Sequence, residues 1–280
     1  MKRLLRKFRE KELKMVWVVE KDRQQSHLIG TALFFLCSFR NSLQRFLEPA
    51  RVVIFEGPLA EEDLRAIRKS GLDQKNTRHL FDHLDTETVA AINRALVPVY
   101  RIRHFLYLAD FYKFNAQEAV YQMVAGMKPW LAFFTLWSSF LELRGWTYSV
   151  DLEAYTLARE LSKKIVFLET IQEQISVLEN LSHEKIIHFL KQVKRWESFA
   201  NDYARAYLAG DLAGLRISGV RFPSRYPSVI NQRDEIFYTR MQDHLKQGQT
   251  TIFVGAPHIQ GIATKLLADG FRLQGPPIPR

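Results

Sequence analysis

Thr251-Ile-Phe-Val-Gly255-Ala-Pro-His258 is the stretch on which the fold turns. A short β-forming run is broken by Gly-Ala-Pro, and an apolar helical pattern follows over residues 259–267, so the segment reads as strand, sharp turn, helix. Glycine ahead of the histidine lets the backbone bend at the strand end and project the ring over the sheet edge. Open α/β sheets bind their ligands there. A helix is expected before it over residues 228–245, and after it Gly270 leads to a last strand near 271–273.

Further out, two strand-like stretches open the chain. Val16-Trp-Val-Val-Glu20 and His27-Leu-Ile-Gly-Thr-Ala32 flank the polar Lys21-Asp-Arg-Gln-Gln-Ser26, which reads as a hairpin connection. Arg51-Val-Val-Ile-Phe-Glu56, ended by Gly57-Pro58, has the continuous apolar character of a strand buried on both faces. Asp85 can cap a helix through Val89, Ile92 and Leu96 that stops before Pro98. Asp151 opens a helix over 152–164 that leads into the apolar run 165–168. Ile171, Ile175, Leu178 and Leu181 share one helical face. Ile186, Leu190, Val193, Ala200 and Tyr207 form the stripe of the next helix, with Gly210 as its C-cap. Strands at both ends with helices between imply a single mixed sheet flanked by helices. The expected organisation is a basic arm over 1–14, then one α/β domain over 15–280 with a helical insertion at about 60–150.

Composition narrows the classes. The chain has 280 residues, 47% hydrophobic and 12% aromatic, enough for a large core. Cys37 is the only cysteine, which excludes an intramolecular disulfide and a Cys-rich metal cluster. Its apolar setting among Phe34, Phe35 and Leu36 makes an inert thiol the default. Lys and Arg number 40 against 30 Asp and Glu. That balance favours an acidic protein or an anionic membrane surface, although no sequence-specific nucleic-acid motif is present. Lys2, Arg3, Arg6, Lys7 and Arg9 interrupt any apolar run at the start, so no signal peptide is read. The longest apolar run, residues 130–141, falls short of the roughly 20 residues that span a bilayer. The expected setting is cytoplasmic, with the arm either solvated or resting on a membrane surface.

Several motifs, taken in order, resemble the TraB/GumN family, which includes the Tiki metalloproteases. They are Leu28-Ile-Gly-Thr31, Val53-Ile-Phe-Glu56, Lys128-Pro129-Trp130, Val150-Asp151, Leu168-Glu169-Thr170 with Glu173-Gln174, Tyr207 with Gly210-Asp211-Leu212, Arg233-Asp234, and Val254-Gly255-Ala-Pro-His258. Together they cover about residues 15–275. The resemblance implies that in the Tiki branch two Gly-x-x-His histidines and a strand-end Glu gather around a divalent metal that activates water. Here Gly30-Thr31-Ala32 is followed by Leu33 where the family has the first His. Leucine cannot ligate a metal, and its apolar side chain is expected to desolvate the site.

The candidates carried over are therefore Glu56, Glu169 and His258 as catalytic residues, with Glu56 and His258 as metal ligands. Gln174, Arg233, Gly30 and Gly255 are carried as ligand-binding positions. The metal is either absent or a cation of the Mn, Co or Mg kind. Three functional readings stand: a family member that has lost hydrolysis and binds a small molecule, peptide or partner; a divalent-metal hydrolase using Glu56, Glu169 and His258; and, on charge alone, a nonspecific nucleic-acid or membrane-surface binder. His258 could equally cap a helix, and Glu56 and Glu169 could cap helix N-termini. His79 and His83, spaced i, i+4 around Asp82, resemble an inverted zinc motif superficially.

Overall fold

The chain's structure is a computed structural model that describes residues 10–73, 80–104 and 116–279; for residues 97–104 and 116–119 only the backbone is described. The expected arm falls largely outside this range, since residues 1–9 are not described, and so does His79.

Among the described residues six strands form one mixed sheet: β1 (Val16–Lys21), β2 (Gln24–Thr31), β3 (Val52–Phe55), β4 (Lys164–Phe167), β5 (Thr250–Gly255) and β6 (Arg272–Gln274). Their order across the sheet is β4-β3-β5-β2-β1-β6. β5 pairs in parallel with β2 on one side and β3 on the other, and β3 pairs in parallel with β4. β1 pairs antiparallel with β2 and with β6. Hence the carboxyl ends of β2, β3, β4 and β5 share one edge, the place where α/β sheets carry ligands. β5 is buried along its whole length except at Gly255, as its unbroken apolar run requires.

The hairpin turn is tighter than the polar stretch suggests. Asp22 and Arg23 alone make it, with φ of 50° and 62°, while Gln24 and Gln25 extend β2. Two left-handed residues match the strand twist, which lets the connection shrink to two positions.

Three helix expectations are corrected. Asp85 does cap its helix, accepting from Thr88 N at 2.7 Å, but Thr86–His104 runs through Pro98. Buried Ala91, Ile92 and Leu96 hold the helix before the proline, which its fixed φ also suits. Ile171–Glu179 ends before Leu181. The stripe read through 186–207 belongs to two helices, His183–Lys191 and Trp196–Ala209, separated by a 3₁₀ turn at Val193–Arg195. Trp196 folds back at this break, its Nε1 donating to Phe189 O at 3.1 Å, so one apolar stripe serves two helix axes. Gly210 is the left-handed C-cap, with φ of 74°.

The apolar interior divides in two. The strands pack with Leu43, Leu157, Tyr207 and Met241 in a sheet core. A second, helical core gathers Ile92, Phe133, Trp137, Phe189, Trp196 and Phe199. The run at 130–141 becomes Pro129–Glu142, buried in this second core. Among the described residues no helix is long and apolar enough to cross a membrane.

Candidate functional site

The site is assembled where four strands stop. Glu56 follows β3, and Glu169 lies just beyond β4, its N–H donating to Glu56 O at 2.7 Å, so the backbones themselves hold the two carboxylates side by side. Asp151 is in the first turn of Val150–Glu160, a helix anchored to the end of β2 by Val150 N–H on Ala32 O at 3.1 Å and capped by Ser149. His258 closes the turn after β5. Arg233 and Asp234 reach in from the long helix Pro227–Gln247.

Arg233 is the centre. Its Nε and Nη2 grip Glu169 at 3.1 and 2.7 Å, Nη2 also meets Glu56 Oε2 at 2.9 Å, and Nη1 lies 3.2 Å from His258 Nε2. Phe237 lies under the guanidinium at 4.8 Å. On the other side of the ring, His258 Nδ1 is 2.6 Å from Asp234 Oδ1. Asp234 can only accept if ionised, and Arg233 can only donate, so the consistent tautomer carries its proton on Nδ1 and offers Nε2 as an acceptor. His258 is 2% exposed. The histidine is therefore a fixed, buried imidazole facing the cluster.

The two carboxylates that Arg233 holds are shifted in opposite directions, because burial outweighs the cation at one and not at the other. Burial works to raise Glu56, but the charge of Arg233 and the hydrogen bond from the Gly255 N–H outweigh it, and its carboxyl lies below the ordinary range. Burial dominates at Glu169 despite Arg233, so that carboxyl lies above it. Asp151 is pushed up to about 7, first by desolvation and then by the negative charge of Glu56, against which a side-chain hydrogen bond from Thr31 works. Arg233 is held above the arginine range because its two carboxylates outweigh its burial.

Three glycines make room for this cluster. A Cβ at Gly261 would land on Asp234 Oδ2, one at Gly57 would land on Gln174, and one at Gly255 would come within 3.0 Å of Glu56 Oε1. Thus Glu56, Glu169, Gln174, Arg233, Gly255 and His258 converge in one cleft. Gln174 bonds to Glu169. Gly30 stands behind the cleft: its missing side chain lets Ile259 and Ala256 close to 3.2 and 3.3 Å of the would-be Cβ, and its carbonyl accepts from the buried Tyr207 hydroxyl at 2.6 Å. The helix-cap alternatives for Glu56 and Glu169 give way to the grip on Arg233. Leu33 does not seal the site; it lies at the rim, 52% exposed.

Behind the cluster a cavity of about 360 Å³ runs between the two cores. Glu56, Asp151, Glu169, Arg233 and His258 line its polar end, while Phe133, Phe134, Trp137, Trp146 and Phe222 line an aromatic wall. Arg225 and Tyr203 also face it. Arg225 Nη1 and the Tyr203 hydroxyl are buried without a hydrogen-bond partner, a condition that ordinarily costs about 1–3 kcal/mol for each group. Burial pushes the Arg225 pKa down and that of Tyr203 up.

Sequence reasoning placed none of Asp234, Asp151, Arg225 and Tyr203 in the site, and read Asp151 only as the opening of a helix. Asp234 and Asp151 sat inside quoted motifs, and Gly261, three residues after His258, was the available sign that something large approaches the turn. Arg225 and Tyr203 carried no such signal.

A divalent metal fits this donor set poorly. The guanidinium of Arg233 occupies the space between Glu56, Glu169 and His258, a cation already where another would have to enter, and Leu33 offers no ligand. Among the described residues no group of three or more His, Cys, Asp and Glu is arranged to hold a metal ion. His83 meets the ring of His183 at 4.5 Å edge-on.

Fold and site together define an α/β protein with a charged cleft at the parallel sheet edge, opening into an aromatic cavity. The profile of the TraB/PrgY/gumN family matches residues 15–274, and the chain belongs to this family. Comparison with curated proteins returns no match.

Proposed function

We propose that this family member is a binding protein for a small organic molecule, held in the cavity between the two cores, and that it does not carry out metal-dependent hydrolysis. One observation carries the reading: Arg233 is locked by both carboxylates and the histidine that a metal would require. The cavity's volume and its mixture of an aromatic wall with a few convergent polar groups are those of small-molecule sites. Purification without chelator should give substoichiometric metal, with no thermal shift on adding Mn²⁺, Co²⁺ or Mg²⁺. Stoichiometric metal, together with peptide or ester turnover lost in His258→Ala, overturns the proposal.

A second reading rests on the Asp234–His258 pair at 2.6 Å. A buried carboxylate fixes the imidazole tautomer with its lone pair on Nε2; once Arg233 Nη1, 3.2 Å from that nitrogen, turns aside, Nε2 is a general base able to take a proton from a water attacking a carbonyl without any metal. Metal-independent ester or amide turnover that disappears in both His258→Gln and Asp234→Asn would favour it over binding alone.

A further inference from the structure

Two guanidinium groups line the cavity, and their circumstances differ. Arg233 is saturated by Glu56 and Glu169. Arg225 has no carboxylate within salt-bridge distance among the described residues. Its guanidinium is instead packed on aromatic faces, 3.9 Å from the Tyr203 ring centre and 4.6 Å from that of Phe222, which fixes the plane of its donor fork. The unpartnered Nη1 and the unpartnered Tyr203 hydroxyl belong to this same packed pair. Buried polar groups in folded proteins are nearly always satisfied, so two orphans on adjacent side chains facing one cavity call for a common acceptor. Water could accept the hydrogen bonds but would leave the positive charge uncompensated.

We infer that Arg225 and Tyr203 form an anion-recognition subsite that takes the carboxylate of a small amphipathic organic acid. The inference rests on the cavity being a ligand site and adds which end of the ligand lies where. Glu56 and Glu169 lie around Arg233 and repel an anion from that part of the lining, Asp151 stands between, close enough for its charge to act on Tyr203, and Arg225 is the one cation in the lining without a charged partner among the described residues. Phe222 touches the guanidinium and also meets Trp137, their ring centres 5.3 Å apart, so the aromatic wall begins where the carboxylate would be held. A flat or aliphatic body then lies along Phe133 and Trp137, with any hydrogen-bonding tail pointing to the acidic cluster. The planar fork of Arg225 suits the two oxygens of a carboxylate.

The full chain is titrated calorimetrically with 4-phenylbutyrate and decanoate, with their neutral amides, and with 4-phenylbutylamine, while the fluorescence of Trp137 and Trp146 reports on the cavity. The acids should bind at least about tenfold more tightly than the amides, because a charge-assisted hydrogen bond replaces a neutral one. Arg225→Gln should erase that preference, Arg225→Lys should keep part of it, and Tyr203→Phe should reduce it. If Arg225→Gln does not fold by circular dichroism, the acid-to-amide ratio of the native chain and Tyr203→Phe carry the test. Equal affinity for acid and amide, preference for the amine, or a preference that survives Arg225→Gln overturns the subsite and leaves the cavity reading standing. Binding of none of the probes overturns both.

Discussion

The turns that end β2 and β5 lie side by side, with Thr31 opposite Gly255 in a parallel register, yet they have become different objects. After β5 the chain places His258 at 2% exposure, bonded to Asp234 and facing Arg233. After β2 it places Leu33 at the rim, in solvent and unattached. Position on the sheet edge is shared; what surrounds the position is not. The histidine side is a site because a neighbouring helix supplies Arg233 and Asp234 and because Gly261 leaves space for them. A matching motif locates a side chain, and only its environment makes it chemical.

The largest test of this contrast removes the cation. Arg233→Met leaves Glu169 and Glu56 buried without their partner and should lower unfolding free energy by about 3–5 kcal/mol, read from urea denaturation. A loss below about 1 kcal/mol would mean the pair is far better solvated than its burial implies. Gly261→Ala comes next: the added methyl falls on Asp234, and about 1–3 kcal/mol should be lost as the His258 turn is pushed away. No loss in a thermal melt would show that Asp234 can move freely.

Asp151 gives a smaller, pH-dependent effect. Its folded pKa of about 7 stands above the free value of 3.8. Below about 3.8 both states hold the proton; between the two values the unfolded chain releases it first and stability falls; above about 7 the deficit is constant. Asp151→Asn should therefore be neutral at pH 4 and stabilising at pH 8, with solvent contact keeping the gain on the order of 1 kcal/mol. Glu56 should act in the opposite sense, since its depressed pKa stabilises the fold above the ordinary carboxylate range and that contribution fades on acidification. Melts of Asp151→Asn and the native chain across pH 4–8 separate the two; parallel curves would refute the assignment to Asp151. The smallest expected change is Leu33→His, within about 0.5 kcal/mol at an exposed position. It should bring no Mn²⁺ or Co²⁺ thermal shift while Arg233 stays in place. A shift there would identify the missing histidine, rather than the guanidinium, as the obstacle.

What the sequence disclosed follows from what local patterns can carry. Strand ends are visible where β-forming runs stop, at Gly or Pro after β3 and β5 and at the polar Glu169-Thr170 after β4, and so Glu56, Glu169, Gly255 and His258 could be placed at one edge. Arg233 and Gln174 came through motifs rather than periodicity. A pairing of Arg233 with one of the carboxylates was open to sequence reasoning, but its grip on both at once was not legible, since that depends on how a 21-residue helix is set across the sheet. The Asp234–His258 bond depends on the same placement. The break between Lys191 and Trp196 escaped notice because the apolar stripe continues through it, and spacing alone does not register a change of axis. Arg225 was invisible for a simpler reason: its distinction is the absence of a partner, and only a packed structure defines absence.

β5 has a temporal meaning as well as a spatial one. Ser26 and Thr250, which meet through the Thr250 N–H and the Ser26 hydroxyl at 3.2 Å, are 224 residues apart in the chain. During synthesis the early hairpin and β3 must wait with open hydrogen-bonding edges until the strand that belongs between them has been made. Such long-range closure slows folding and prolongs exposure of surfaces that other chains can join. Deletions that remove Thr250–Gly255 should therefore leave a sticky, unfinished sheet, and a newborn chain should depend on chaperones longest just before β5 has been made.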